Sequence, residues 1–315
     1  MKTFVVTGCN GYIGSHMCHE LGAMYNDCHI IGIDKVEKKH LRHLYDTFEQ
    51  IDLSLDPIVL SNFDRKPIDA VFHFAAYSSV EEGEQDPWKY YFNNVVGSLR
   101  MIKEAKQYGV KDFIFSSTAA VYGESTSPLF GHLFENTTIN PKSVYGKSKA
   151  MVEEVLKNEK DMRYSILRYF NVAGRNVRAN LYEEHDPETH LIPLLASSNT
   201  ATIFGNDWPT KDGTCIRDYI DVRDICRAHT LAYRYMESQD ENLIINVGSG
   251  KGYSVKEVVD KANEILHNGE MIVRVTGKRD GDVPYLVADT LKIETTLGFK
   301  PQYLLEDILE SMKNV

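Results

Sequence analysis

Phe4-Val5-Val6-Thr7-Gly8-Cys9-Asn10-Gly11-Tyr12-Ile13-Gly14 is the stretch that decides how this chain folds. The run Phe4–Thr7 is apolar and β-branched, and reads as a strand. It breaks at Gly8, and glycine then recurs at every third position. Gly8 permits a tight turn, Gly11 admits a close backbone approach, and Gly14 lets the following helix lie against the strand it left. That helix is expected near Gly11–Met24. Its N-terminus offers unpaired amides and the positive end of a dipole, a seat for a pyrophosphate. The spacing is a GxxGxxG variant of the dinucleotide fingerprint, and glycines alone would also make a plain turn. Asp34 supports the stronger reading. It ends the next apolar run, His29–Asp34, 20 residues after Gly14, where a carboxylate accepts hydrogen bonds from adenosine ribose hydroxyls. A carboxylate there repels a 2′-phosphate, so the expected cofactor is NAD. The basic group Lys35, Lys38, Lys39, His40 and Arg42 reads as a solvated face, with some tolerance of a 2′-phosphate as the alternative.

Outward from that turn, short apolar runs alternate with helical segments. Ala70–Phe74, Phe113–Ser117 and Ser165–Tyr169 read as further strands. Trp88–Gln107 and Ser143–Lys157 read as helices. Such alternation predicts βαβ units and a parallel sheet covered on both faces. After about residue 172 the pattern loosens into turns rich in Gly, Pro, Asn and Asp, with short helices near Val222–Met236, Ser254–Leu266 and Leu304–Met312. The expected fold is α/β: a Rossmann-type doubly wound parallel sheet with a smaller mixed α/β C-terminal substrate domain. Residues 1–171 are assigned to NAD binding and 172–315 mainly to substrate, with segments near 221–247 and 283–290 returning to the first domain.

Composition narrows the partners. The 315 residues carry a formal net charge of −10, which argues against nucleic acid or an anionic membrane surface. No run of about eighteen apolar residues occurs, so no membrane-spanning helix is expected. The N-terminal apolar run is too short for a signal peptide. Five cysteines (Cys9, Cys18, Cys28, Cys215, Cys226) without a CxxC pair read as reduced thiols of a cytoplasmic protein, and Cys9 as a small tolerated residue in the glycine turn. No metal is expected: His16 with His19, and His40 with His43, lack completing ligands.

Tyr145-Gly146-Lys147-Ser148-Lys149 places Tyr145 and Lys149 on one helix face. A free tyrosine titrates near pH 10, and a neighbouring ammonium is expected to lower that by stabilising the phenolate. With 18 tyrosines in the chain, on the order of one such YxxxK match arises by chance. Ser116-Ser117-Thr118 supports it, because the carboxyl ends of strands line the ligand crevice of a doubly wound sheet. Thr118 there offers a hydroxyl that could relay a proton.

Together these residues resemble the extended short-chain dehydrogenase/reductase superfamily, and further stretches resemble UDP-glucose 4-epimerases. They are His73-Phe74-Ala75-Ala76, Tyr90-Tyr91-Phe92-Asn93-Asn94, Ser116–Gly123, Leu167–Gly174, His190-Leu191-Ile192-Pro193, Asp212–Ile220 and Arg279–Asp282. The resemblance implies that Tyr145 takes the 4-hydroxyl proton of a UDP-hexose while hydride leaves C4 for the nicotinamide. The 4-keto sugar then turns, and hydride returns to its other face. The catalytic set is Tyr145, Lys149 and Thr118. The implied cofactor set is Gly8, Gly11, Tyr12, Ile13, Gly14, Asp34, Asp52, Leu53, Phe74, Ala75, Ala76, Ser78, Asn93, Ser116, Tyr145, Lys149 and Phe170. The implied substrate set is Thr118, Tyr145, Asn171, His190, Leu191, Thr202, Phe204, Arg217, Arg279, Asp282 and Leu286. Arginine forks suit phosphate oxygens, although Arg217 beside Asp218 could be a plain ion pair.

Sugar dehydratases usually carry Asp-Glu after the Ser/Thr position, whereas Ala119-Ala120 stands here. The chain departs from the epimerase pattern over Lys35–Asp52, at Asp221 where histidine is frequent, and in its short C-terminus. Leu286 falls where residue size gates the sugar's 2-substituent, so plain and N-acetylated UDP-hexoses both stay open. A homodimer is expected, through Trp88–Gln107 and Ser143–Lys157. A 4-ketoreductase of the same fold and a non-catalytic NAD-binding regulator are the rival functions.

Overall fold

The computed structural model describes residues 1–62, 67–123, 131–279 and 282–313. Asp280 and Gly281, inside the late Arg279–Asp282 stretch, lie outside them. The opening apolar run forms the strand Lys2–Thr7, buried at every residue after Lys2. It is an interior strand, third from one edge, of a seven-stranded sheet. From one edge the strands run Thr47–Gln50, Cys28–Asp34, Lys2–Thr7, Ala70–His73, Asp112–Thr118, Arg163–Tyr169 and Leu243–Val247. Lys2–Thr7 pairs in parallel with both neighbours, and so do the next pairs out, Cys28–Asp34 with Thr47–Gln50 and Ala70–His73 with Asp112–Thr118. In chain order this is 3-2-1-4-5-6-7, the doubly wound order, with its switch point between Lys2–Thr7 and Ala70–His73. All five strands expected from the sequence lie in this sheet. Thr47–Gln50 is short and only half-buried, so it gives no apolar run to read.

The chain forms two compact units. The first comprises Met1–Val121, Pro141–Arg168 and Cys226–Ile245; the second comprises Tyr122–Asn140, Tyr169–Ile225 and Asn246–Val315. In the first, strand residues Val5, Ile31, Val71, Phe113 and Ile166 form one buried cluster with helix residues Met101, Ile102, Ala105, Val152 and Leu156. In the second, Ile192, Leu195, Ile203, Tyr219, Val258, Val259, Ile308 and Leu309 form another. Segment 283–290, expected to return to the first domain, does not: Tyr285–Ala288 pairs in parallel with Ile216–Asp221 and with His132–Leu133, all in the second unit.

The expected helix Trp88–Gln107 is also revised. It is built as a short turn Pro87–Tyr90, a wide π turn Tyr91–Val96 and a regular helix Gly97–Tyr108. Asn94 accounts for the widening. Its side chain accepts from the Tyr77 amide (2.8 Å) and donates to the Tyr77 carbonyl (3.0 Å), so it is turned onto the loop after Ala70–His73. Periodicity cannot register a single inserted residue of this kind.

The helix Val144–Lys157 is fastened to the sheet by a buried ion pair. Glu153 accepts from Arg168 Nε (3.0 Å) and Nη2 (2.6 Å) and from Ser117 Oγ (2.6 Å), with both charged side chains almost wholly inside. Removing one partner strands the other charge in the core. Arg168→Met is therefore expected to destabilise the chain by about 3–5 kcal/mol in urea unfolding, and Arg168→Met with Glu153→Leu to recover most of that loss.

Candidate active site

The glycine turn sits at the switch point and is shaped by want of room. Gly8 adopts φ +70°, and a Cβ there would lie 2.8 Å from the Ala75 amide nitrogen. A Cβ on Gly14 would lie 2.0 Å from the Gly8 carbonyl oxygen. Gly11 is the N-cap of the helix Tyr12–Met24, with no side-chain cap and no acidic residue in the first turn. The positive helix end is thus left to an anion. Asp34 accepts from the Asn10 amide (3.0 Å) and the Val36 amide (3.1 Å), which orients its carboxylate at the end of its strand. This cradle fits a dinucleotide pyrophosphate and ribose. Cys9 is fully buried, and burial pushes its thiol up. Lys35 donates to the Tyr77 hydroxyl and lies over that ring, and Arg42 donates to the Tyr45 carbonyl at 2.8 Å.

Other cofactor positions divide by what they already hold. Asp52 caps its own turn, accepting from the Ser54 amide (2.9 Å) and hydroxyl (2.6 Å), while Leu53 belongs to the core. Phe74 packs on His229 at 4.9 Å between ring centres. Asn93 donates to Asn94 Oδ1 at 2.9 Å. Beneath them runs a polar chain that sequence reasoning did not find. The Thr7 hydroxyl donates to His73 Nδ1 (2.8 Å), His73 Nε2 to Ser98 Oγ (2.8 Å), and Ser98 Oγ to the Asn94 carbonyl (2.5 Å). Asn94 Nδ2 then reaches Ser148 Oγ (3.1 Å), which donates to the Tyr145 carbonyl (2.7 Å). Burial pushes His73 down to about 3, with Lys149 adding to the effect, so the ring is neutral and its tautomer follows from these partners. Ser98 at four residues from Asn94 was the available hint; the rest needs the fold.

The catalytic candidates meet at the end of Asp112–Thr118. Ser143 caps the helix Val144–Lys157, accepting from the Gly146 amide at 3.0 Å. A Cβ on Gly146 would lie 2.6 Å from the Ala120 carbonyl oxygen, so the first helical turn sits directly on the turn after Thr118. The Thr118 hydroxyl ends its strand and accepts from the Ala120 amide at 3.1 Å, and Lys149 donates to the Ser116 carbonyl at 2.8 Å. Burial pushes the Tyr145 phenol up to about 12, opposed by the neighbouring Thr118 hydroxyl. Burial also pushes Lys149 down to about 7, opposed by Glu153 one helical turn on. The Thr118 hydroxyl is a neighbour that favours the phenolate, while Lys149 is itself desolvated and turned to a carbonyl.

In the second unit the expected substrate residues fall into three groups. Arg217 donates to Asp282 (3.0 Å) and to the Val283 carbonyl (2.7 Å), and shares a register position with Leu286 on the paired strand. Its partner is thus Asp282 and not Asp218. Asp218 is buried, is pushed up to about 6 by that burial, and accepts from Ser249, Gly250 and Ala288. Asn171, in register with Tyr219, donates to the Asp218 carbonyl at 3.0 Å. Arg279 lies 3.6 Å from the centre of the Phe204 ring, and Phe204 and Thr202 share the strand Thr200–Phe204. His190 and Leu191 open the helix Leu191–Ser197. Asp221 is fully buried and accepts from the Arg223 amide and guanidinium, which gives this departure a structural role.

The model of the NAD dependent epimerase/dehydratase family matches residues 4–248. This chain belongs to that family. The UDP-glucose 4-epimerase of Lactobacillus helveticus is 39% identical over 96% of this chain and 93% of its own length. The UDP-glucose-4-epimerase of Stenotrophomonas maltophila, solved with bound NAD and formylated UDP-arabinopyranose, superposes with a TM-score of 0.90 at 30% identity, covering 99% of this chain and 97% of that one. The UDP-Glc/GlcNAc 4-epimerase of Campylobacter jejuni superposes with a TM-score of 0.83 at 37% identity, covering 99% and 98%.

Within this family setting, Thr118 and Tyr145 generate a pH prediction. A base acts as phenolate, and the Thr118 hydroxyl favours that form. Thr118→Val is expected to move the rising limb of kcat/KM against pH to higher pH and to lower turnover at pH 7 by about tenfold or more. Thr118→Ser should keep the limb in place. An unshifted limb in the valine variant would remove Thr118 from this role.

Proposed function

We propose that this family member interconverts UDP-glucose and UDP-galactose by inversion at C4 through a 4-keto sugar, with N-acetylated UDP-hexoses as further candidates. The observation that carries the reading is the Thr118–Tyr145–Lys149 arrangement at the strand ends that also hold the glycine cradle. NAD, bound on Gly8–Gly14 and Asp34, supplies the acceptor and donor of the hydride at C4. Tyr145 takes the 4-hydroxyl proton and later returns it. Thr118 holds the same oxygen and relays that proton. Lys149, near its own titration point, can carry positive charge to the ribose side as Tyr145 ionises. Asn171, Arg217, Arg279 and Phe204 hold the UDP, the guanidinium groups binding its phosphates and the aromatic face its uracil. Ala119-Ala120 leaves no carboxylate beside Thr118 to eliminate water. Leu286 is half-buried, compatible with either 2-substituent.

A homodimer and a cytoplasmic location complete the proposal. Trp88, Phe92 and Met151 are 82%, 43% and 48% exposed on the helical segments expected to pair, which suits an apolar interface. All five cysteines are free thiols, as in a reducing compartment. Among the described residues no helix is long and apolar enough to cross a membrane.

Incubation with UDP-galactose, without added cofactor, is expected to yield UDP-glucose; a strict requirement for added reduced cofactor would instead identify a 4-ketoreductase. Tyr145→Phe should retain bound NAD and the fold while losing activity by about 10²–10⁴-fold. Arg279→Ala should raise KM for the UDP-sugar and leave NAD binding unchanged; equal loss of both would make Arg279 structural.

A further inference from the structure

Ahead of the helix Leu191–Ser197 the second unit gathers two imidazoles and two carboxylates that the reaction above does not explain. Nδ1 of His185 and Nδ1 of His190 each lie 2.7 Å from Glu183 Oε1, and His190 Nδ1 lies 3.3 Å from Glu188 Oε1. One ligand atom from each of the four residues falls within 4.8 Å of the others. Glu188 is held in place by the Thr189 and His190 amides at 2.7 and 2.8 Å. Glu183 carries the decisive detail. Its side chain is only 3% exposed, yet Oε2 has no hydrogen-bond partner among the described residues. A buried carboxylate oxygen left without a donor is costly, and a cation removes that cost.

Two carboxylates converge on the two imidazoles, so the cluster is arranged to hold positive charge. Tetrahedral ligands at zinc bond lengths stand about 3.3 Å apart, inside the span of distances found here. Two imidazole nitrogens with carboxylate oxygens suit a borderline ion such as Zn²⁺ over Ca²⁺ or Mg²⁺, which prefer oxygen. Sequence reading expected no metal and weighed other histidine pairs, because this ligand set carries no familiar spacing.

We propose that Glu183, His185, Glu188 and His190 form a binding site for one divalent ion of the zinc class. Binding replaces the protons on the two Nδ1 atoms, supplies Glu183 Oε2 with a partner, and pins the loop from Tyr182 to His190 where it enters the Leu191–Ser197 helix. The site needs no turnover to be tested, so its failure is separate from failure of the epimerase reading. Untagged full-length chain, stripped with a chelator and desalted, is titrated with Co²⁺ alone. One Co²⁺ per chain is expected, with the intense visible absorption of four-coordinate cobalt, displaced by Zn²⁺. Glu183→Gln and His185→Ala should each lose that spectrum. They should also weaken Zn²⁺ binding by more than the roughly 10–100-fold that loss of a supporting partner costs, with circular dichroism unchanged. Glu188→Gln serves if either variant misfolds. Absence of stoichiometric Co²⁺ binding, or unchanged binding in well-folded variants, would show a proton-bridged cluster and overturn the site.

Discussion

Close approach of backbone to backbone, with no space for a side-chain carbon, is the constraint on which the first unit depends. Gly8 against the Ala75 amide, Gly14 against the Gly8 carbonyl and Gly146 against the Ala120 carbonyl would each place a Cβ within 2.8 Å of a main-chain atom. The first two bring a helix N-terminus to the switch point of the sheet. The third seats the helix of Tyr145 on the strand end that carries Thr118. The candidate cofactor cradle and the candidate catalytic residues are thereby positioned by main chain, which has few ways to relax.

Burial is the second determinant, and it acts in opposite senses on neighbouring groups. It raises the Tyr145 phenol and lowers Lys149, so two titration points that nearly coincide in free side chains are driven apart. It keeps His73 neutral, so that ring is a link in a hydrogen-bonded chain and not a charge. Glu153 holds Arg168 and Ser117 while its field opposes the desolvation of Lys149. One carboxylate thus fastens the helix and adjusts the lysine it presents.

The second unit uses carboxylates in the same spirit. Asp218 gathers the amides of Ser249, Gly250 and Ala288, fixing the turn beside the strand that carries Arg217. Arg217 is in turn held by Asp282 and by two carbonyls, which fix the orientation of its fork. Such preorganisation lowers the ordering cost of binding an anion.

The sequence alone determined the first strand, the glycine turn, Asp34, the α/β class and the shared face of Tyr145 and Lys149. These features are local, and their periods and spacings are written in adjacent residues. Resemblance added Arg217 and Arg279. Only the tertiary structure decided that Arg217 pairs with Asp282, that the helix before Gly97 opens into a π turn, and that 283–290 stays in the second unit. It alone placed the Lys149 ammonium on the Ser116 carbonyl. Those outcomes depend on which distant groups share a desolvated space, and no spacing along the chain encodes the loss of water that sets their charges.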